Sequence, residues 1–174
     1  MSSPAAWILA LAAYAACGGT PPAPPIANGA APAADPRTDA ERLIGAVLQR
    51  YLDDPSTMSD AGLLPQAGAI PVAREIDGRA AVTAAGLPVV GRGFVVRDLA
   101  DLQAEADRRG EEVAFIRFTQ VEIAVDHAVV GVGVDIVLPK ATDAIKMCCC
   151  RSVSSYLRRP DGWAYGVRQS SICI

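Results

Sequence analysis

The chain has 174 residues with 51% hydrophobic and 20% charged side chains, the balance of a globular domain rather than a disordered one. Its net charge of −3 argues against a nucleic-acid footprint, which needs a basic patch or stripe, and its single histidine, His127, excludes metal sites and acid–base dyads built on several histidines. Lysine occurs only at Lys140 and Lys146, so the cationic side chains are almost all arginine.

Residues 1–17 read MSSPAAWILALAAYAAC. The uncharged run from Ala5 to Ala16 is shorter than the about 20 residues of a membrane-spanning helix and matches the apolar region of a signal peptide. Its end, Tyr14-Ala15-Ala16-Cys17 before Gly18-Gly19, resembles a bacterial lipobox, although Tyr14 stands where an aliphatic residue is usual and no Lys or Arg precedes the run. The resemblance implies lipidation at Cys17 and residence in the bacterial cell envelope, or secretion if the anchor is absent. Residues 18–36 are rich in Pro and Ala, carry one large apolar residue, Ile26, and read as an extended tether.

The folded domain is expected over 37–174. Thr38-Asp39-Ala40-Glu41 has the spacing of a capping box, and Leu43, Ile44, Val47, Leu48, Tyr51 and Leu52 follow on one helical face. Asp53-Asp54-Pro55 ends that helix. From Ser56 to Pro88 glycines and prolines interrupt the pattern, with a short strand expected in Ile70–Ile76 and a turn at Asp77-Gly78. Gly91-Arg92-Gly93 lacks the spacing of a phosphate loop and reads as a bend between short strands. Asp98 is placed to cap a second helix that ends at Gly110, with acids early and Arg108 and Arg109 late, as the helix dipole favours. The Arg108-Arg109 and Arg158-Arg159 pairs read as solvated ends of elements.

Val113 to Leu138 predicts the central hairpin, with Asp126-His127 as its turn and Val125 opposite Ala128. That register places Phe115, Val121, Ile123, Val125 and the even-numbered residues Val130 to Leu138 on a core face, interrupted by Arg117 and Thr119. An arginine on a core face needs a carboxylate or an anionic ligand, so Arg117, with Tyr51 of the first helix, is a candidate pocket residue. A last hairpin is expected from Met147 to Ile174 around Arg159-Pro160-Asp161-Gly162.

With Cys17 lipidated, Cys148, Cys149, Cys150 and Cys173 remain, an even number that favours a disulfide in an exported domain. A bulge at Gly162 with Arg158 facing Ala164 sets Cys149 opposite Cys173; Arg158 facing Trp163 would set Cys148 there instead. The expected bridge is Cys149–Cys173, and the alternative is a set of small buried hydrophobes. Three consecutive cysteines on a strand alternate faces, which disfavours a shared metal, and neither metal nor cofactor is expected.

The helix Thr38 to Leu52, the strands Val113 to Leu138 and the run Tyr156-Leu157-Arg158-Arg159-Pro160-Asp161-Gly162-Trp163 together resemble the nuclear-transport-factor-2-like, or cystatin-like, α+β roll. The resemblance implies a curved antiparallel sheet against one long and one or two short helices, enclosing an apolar pocket. The family includes isomerases, dehydratases, binding and immunity proteins, and domains without activity. Its enzymes place Asp, His and Tyr in the pocket, whereas His127 falls at the expected hairpin tip, so no catalytic residue carries over. The expected function is a non-enzymatic envelope module that binds a small apolar ligand or a protein, with the membrane as partner through Cys17. The alternative is a pocket enzyme of the isomerase or dehydratase type.

Overall fold

The computed structural model describes residues 37–88, 93–142 and 150–173. It is an α+β fold. Helix α1 (Asp39–Asp53) is followed by short strands β1 (Ile70–Ala73), β2 (Glu75–Ile76), β3 (Arg79–Ala80) and β4 (Phe94–Arg97). Helix α2 (Leu99–Arg109) then leads into four longer strands, β5 (Val113–Ile123), β6 (His127–Val137), β7 (Cys150–Arg159) and β8 (Gly162–Cys173). The main sheet has the order β4-β1-β5-β6-β7-β8, and β2 with β3 forms a separate ribbon.

The long strands pair antiparallel, as expected. The edge made by β1 and β4 does not: β1 runs parallel to both β4 and β5, so the sheet is mixed. Parallel neighbours need a crossover between them, which the ribbon and α2 supply.

Both helix ends carry the devices their sequences announce. Thr38 Oγ1 accepts from the Glu41 amide at 3.2 Å while Glu41 Oε2 accepts from the Thr38 amide at 2.8 Å, closing the capping box. Gly110 ends α2 in the left-handed region at φ 68°. Asp98 precedes α2 without a side-chain cap; its carboxylate instead takes Arg74 Nε at 2.7 Å.

The two helices cover opposite faces of the sheet. The α1 stripe, Leu43, Ile44, Val47, Leu48 and Tyr51, packs with Ile116, Phe118, Val130, Val132 and Val134. On the other face Leu102 and Ala106 of α2 pack with Ala73, Val113 and Phe115. Both faces of β5 are therefore buried at its start, which an expectation of one core face does not accommodate.

The central hairpin departs from its expected register. Its turn is wider: Ile123 pairs with Ala128, and Val125 lies in the loop at 89% exposure. A bulge between Phe118 and Gln120 then inserts Thr119 without a partner, so Phe118 faces Val132 and Ile116 faces Val134. One extra residue inverts the faces of everything before it. Ala114, Ile116 and Phe118 take the α1 side, and Phe115 and Arg117 turn to the α2 side.

Candidate functional site

Strand β5 is much longer than its neighbour on one side. β1 meets it at Val72 and Ile116, then ends at Ala73. The chain kinks at Arg74, whose carbonyl accepts the amides of Ala81 and Val82 at 3.1 and 2.9 Å and so ties down the base of the β2–β3 ribbon. The ribbon turns at Asp77 (φ 48°) and Gly78 (φ 73°), with Ile76 paired to Arg79. Positive φ at both central residues is the type I′ pattern that an Asp-Gly pair favours, as the sequence indicated.

Between this ribbon, α1 and the end of β5 lies a cavity of about 470 Å³. Ala40 and Ile44 of α1, Ile76 of the ribbon and Val121 and Ile123 of β5 supply apolar walls. Asp77, Gln120 and Glu122 supply its polar groups. Gln120 Nε2 donates to Glu122 Oε1 at 2.9 Å. Among the described residues no Lys, Arg or His lines the cavity, and neither Asp77 nor Glu122 has an ion-pair partner, so its described lining is acidic and lightly polar.

A second cavity, about 340 Å³, sits where the β7–β8 turn meets the start of α1. Asp39 is bound there by Arg42 and by Arg158, whose Nη1 lies 2.9 Å from Oδ2. The hydrogen bond from Arg42, then that from Arg158, holds the Asp39 carboxyl below its ordinary pKa. Arg158 also stacks on Trp163, 4.6 Å from the ring centroid. Exposed at the end of β7, as read from its sequence, it thus also joins helix and hairpin.

The two residues singled out for a pocket do not meet. Tyr51 is 5% exposed on the α1 side, its ring 6.3 Å from that of Phe94. Arg117 lies on the opposite face, where its Nη1 donates to Asp135 Oδ2 at 3.2 Å. Neither lines the cavity beside β5. Arg117 does not interrupt the α1 core, because the Thr119 bulge turned it away; its carboxylate partner is the buried Asp135. His127 sits at the hairpin turn, its Nδ1 2.7 Å from Asp126 Oδ1, and that bond lowers the pKa of Asp126.

Cys17 and Cys149 lie outside the described residues. Cys173 is bonded to Cys150 rather than to the expected Cys149. The hairpin begins with Arg158 opposite Trp163, the register that would bring Cys148 to Cys173. Two register shifts follow, one between Tyr156 and Ser154 and one between Ser154 and Val153. Each adds a residue to β8, and together they advance the partner from position 148 to 150. Cys150 is fixed further by its amide, which donates to Asp60 Oδ2 at 2.7 Å.

Sequence reasoning missed the cavity beside β5, although it placed the turn that walls it. Its signal is a mismatch of lengths, four residues in β1 against eleven in β5, so that the ribbon and not β1 stands beside the rest of β5.

No family model matches this chain, and no curated protein does. Among solved structures, the chain is similar to a domain of unknown function with a cystatin-like fold from Nostoc punctiforme, at 14% identity over 74% of each chain, with a TM-score of 0.29.

Proposed function

We propose that residues 37–174 form a non-enzymatic binding module of the bacterial cell envelope, held to the membrane by a lipid at Cys17 and carried on the tether 18–36. The observation that supports binding is the cavity of about 470 Å³ between α1, the β2–β3 ribbon and the end of β5. Apolar walls with a few convergent polar groups are the usual make-up of a ligand site. The lipobox-like Tyr14-Ala15-Ala16-Cys17, followed by a Pro/Ala-rich run, supports the anchor.

Two measurements test the reading. A neutral N-phenylnaphthylamine dye is expected to gain fluorescence on binding the protein, and Ala40→Trp, which fills the cavity from α1, is expected to abolish the gain. Dye binding that survives Ala40→Trp in a folded protein rejects the site. Fatty-acid labelling in a bacterial host is expected in the wild type and absent in Cys17→Ala; label retained in that variant rejects the anchor.

A further inference from the structure

The second cavity, where the β7–β8 turn meets the start of α1, carries a charge opposite in sign to that of the chain. The chain has a net charge of −3, yet in the described lining of this cavity Arg42, Arg158 and Arg159 stand against Asp39 and Asp161, an excess of one positive charge. The Asp39 carboxylate is shared by two of the three guanidiniums, those of Arg42 and Arg158. A guanidinium has five N–H donors. Arg42 gives one to Asp39 and another to the Arg37 carbonyl at 2.9 Å, and Arg158 pairs with Asp39 through Nη1. Among the described residues the Arg159 guanidinium has no partner, nor has the Asp161 carboxylate. The three arginines also arrive from different directions. Arg42 comes from the first turn of α1, and Arg158 and Arg159 are successive residues of β7, whose side chains leave a strand on opposite faces. The Trp163 ring holds the Arg158 guanidinium without engaging its N–H groups.

We propose that this cavity is a binding site for a phosphate group, as the free ion or as a phospholipid headgroup. It is separate from the cavity beside β5 and does not depend on the reading of that cavity. A carboxylate presents its oxygens in one plane, whereas a phosphate presents acceptors in three dimensions, which suits donors that arrive from a helix and from both faces of a strand end. The headgroup source has a support of its own. Arg42 is bonded to the carbonyl of Arg37, so the site stands where the chain enters the domain from residues 18–36.

The test follows the indole N–H resonance of Trp163, which lines the cavity, in the full chain at constant ionic strength. The probes are inorganic phosphate, glycerophosphoglycerol (the soluble headgroup of phosphatidylglycerol), acetate and chloride. A saturable shift is expected with at least one of the two phosphates, at least about tenfold weaker binding with acetate, and no saturable shift with chloride. Tighter binding of glycerophosphoglycerol assigns the site to a lipid headgroup, and tighter binding of inorganic phosphate assigns it to the free ion. Arg159→Gln, which removes an unpartnered cation, is expected to weaken phosphate binding by about tenfold. Asp161→Asn, which removes an unpartnered anion, is expected to tighten it by about threefold. Neither substitution touches the junction at Asp39, so both variants should keep the melting temperature of the wild type. A merely structural role for these two side chains would not move phosphate affinity in opposite directions. The absence of a saturable shift with either phosphate, equal binding of acetate, or phosphate binding that is not weakened by Arg159→Gln overturns the site.

Discussion

Arg151 lies across Gly133. A Cβ built on this glycine would stand 2.6 Å from the Cys150 carbonyl oxygen and 3.2 Å from both Cα and Cγ of Arg151. The obstacle is largely backbone, which cannot rotate aside. Gly131, two residues earlier, faces the Thr119 hydroxyl at the same 2.6 Å, but a hydroxyl can swing away. Gly133→Ala is expected to destabilise the fold by about 2 kcal/mol, and Gly131→Ala by about 1 kcal/mol or less. Urea unfolding of the two variants checks the order; equal losses would mean that β7 does not approach β6 as described.

The Arg117–Asp135 pair offers a second comparison. Asp135 is 5% exposed and its Oδ1 also accepts the Ile136 amide at 3.1 Å, whereas the Arg117 side chain is 29% exposed. Arg117→Ala removes a cation from a buried carboxylate and is expected to cost about 2 kcal/mol, short of a fully buried pair because water reaches the guanidinium. Replacing both residues, Arg117→Leu with Asp135→Asn, is expected to recover part of that loss. A double-mutant cycle with no coupling would show that the pair contributes nothing.

The cysteine register is open to a direct check. Cys150 and Cys173 close a loop with a sequence separation of 23. Loop-closure entropy puts the bridge at about 3 kcal/mol. Cys173→Ser and Cys150→Ser are each expected to lower the melting temperature in non-reducing buffer, and Cys149→Ser to leave it unchanged. Under reductant the three variants and the wild type should converge. A bridge peptide containing Cys149 after non-reducing digestion would contradict the pairing.

Acid should loosen the first helix. Glu41 is held below its ordinary pKa by hydrogen bonds from Thr83 first and from Thr38 next, and Asp54 by bonds from Ser56. With Asp39 these groups bind fewer protons in the folded chain than in the unfolded one. Their contribution is complete above the unfolded carboxylate values, near about pH 4, and is lost as pH falls through the lower folded values. The melting temperature is therefore expected to be flat above about pH 5.5 and to fall below it, with a shallower fall in Glu41→Gln. Thr38→Ala, which removes the other half of the capping box, is expected to cost about 1 kcal/mol at neutral pH. A melting temperature that does not change between neutral pH and about pH 3 would refute the assignment.

What the sequence makes legible here is local. Thr38 and Glu41 are three residues apart, and their capping box depends on nothing distant. Asp77-Gly78 specifies its turn, and Gly110 its helix end, through φ alone. The Thr119 bulge is different: nothing in a run of β-formers marks which residue will lack a partner, yet that residue decides which face Arg117 takes. The shifts at Ser154 have the same character and moved the partner of Cys173 from position 148 to 150. The parallel edge of β1 and β4 depends on a crossover that no short window of sequence contains. The candidate site inherits that difficulty, because it exists only where β1 stops short of β5.

Arg158 has one more consequence. Its amide holds the loop between β5 and β6, its guanidinium holds Asp39 at the start of α1, and its side chain rests on Trp163 of the last strand. On the same side Arg50 of α1 covers the ring of Tyr165 at 3.3 Å. The first and last elements of the domain are thus mutual supports. A chain still being synthesised has the helix and the central hairpin that covers its apolar stripe before it has the final strand that secures Asp39 and Arg50. Losing the last strand would therefore loosen the start of the domain as well as its end.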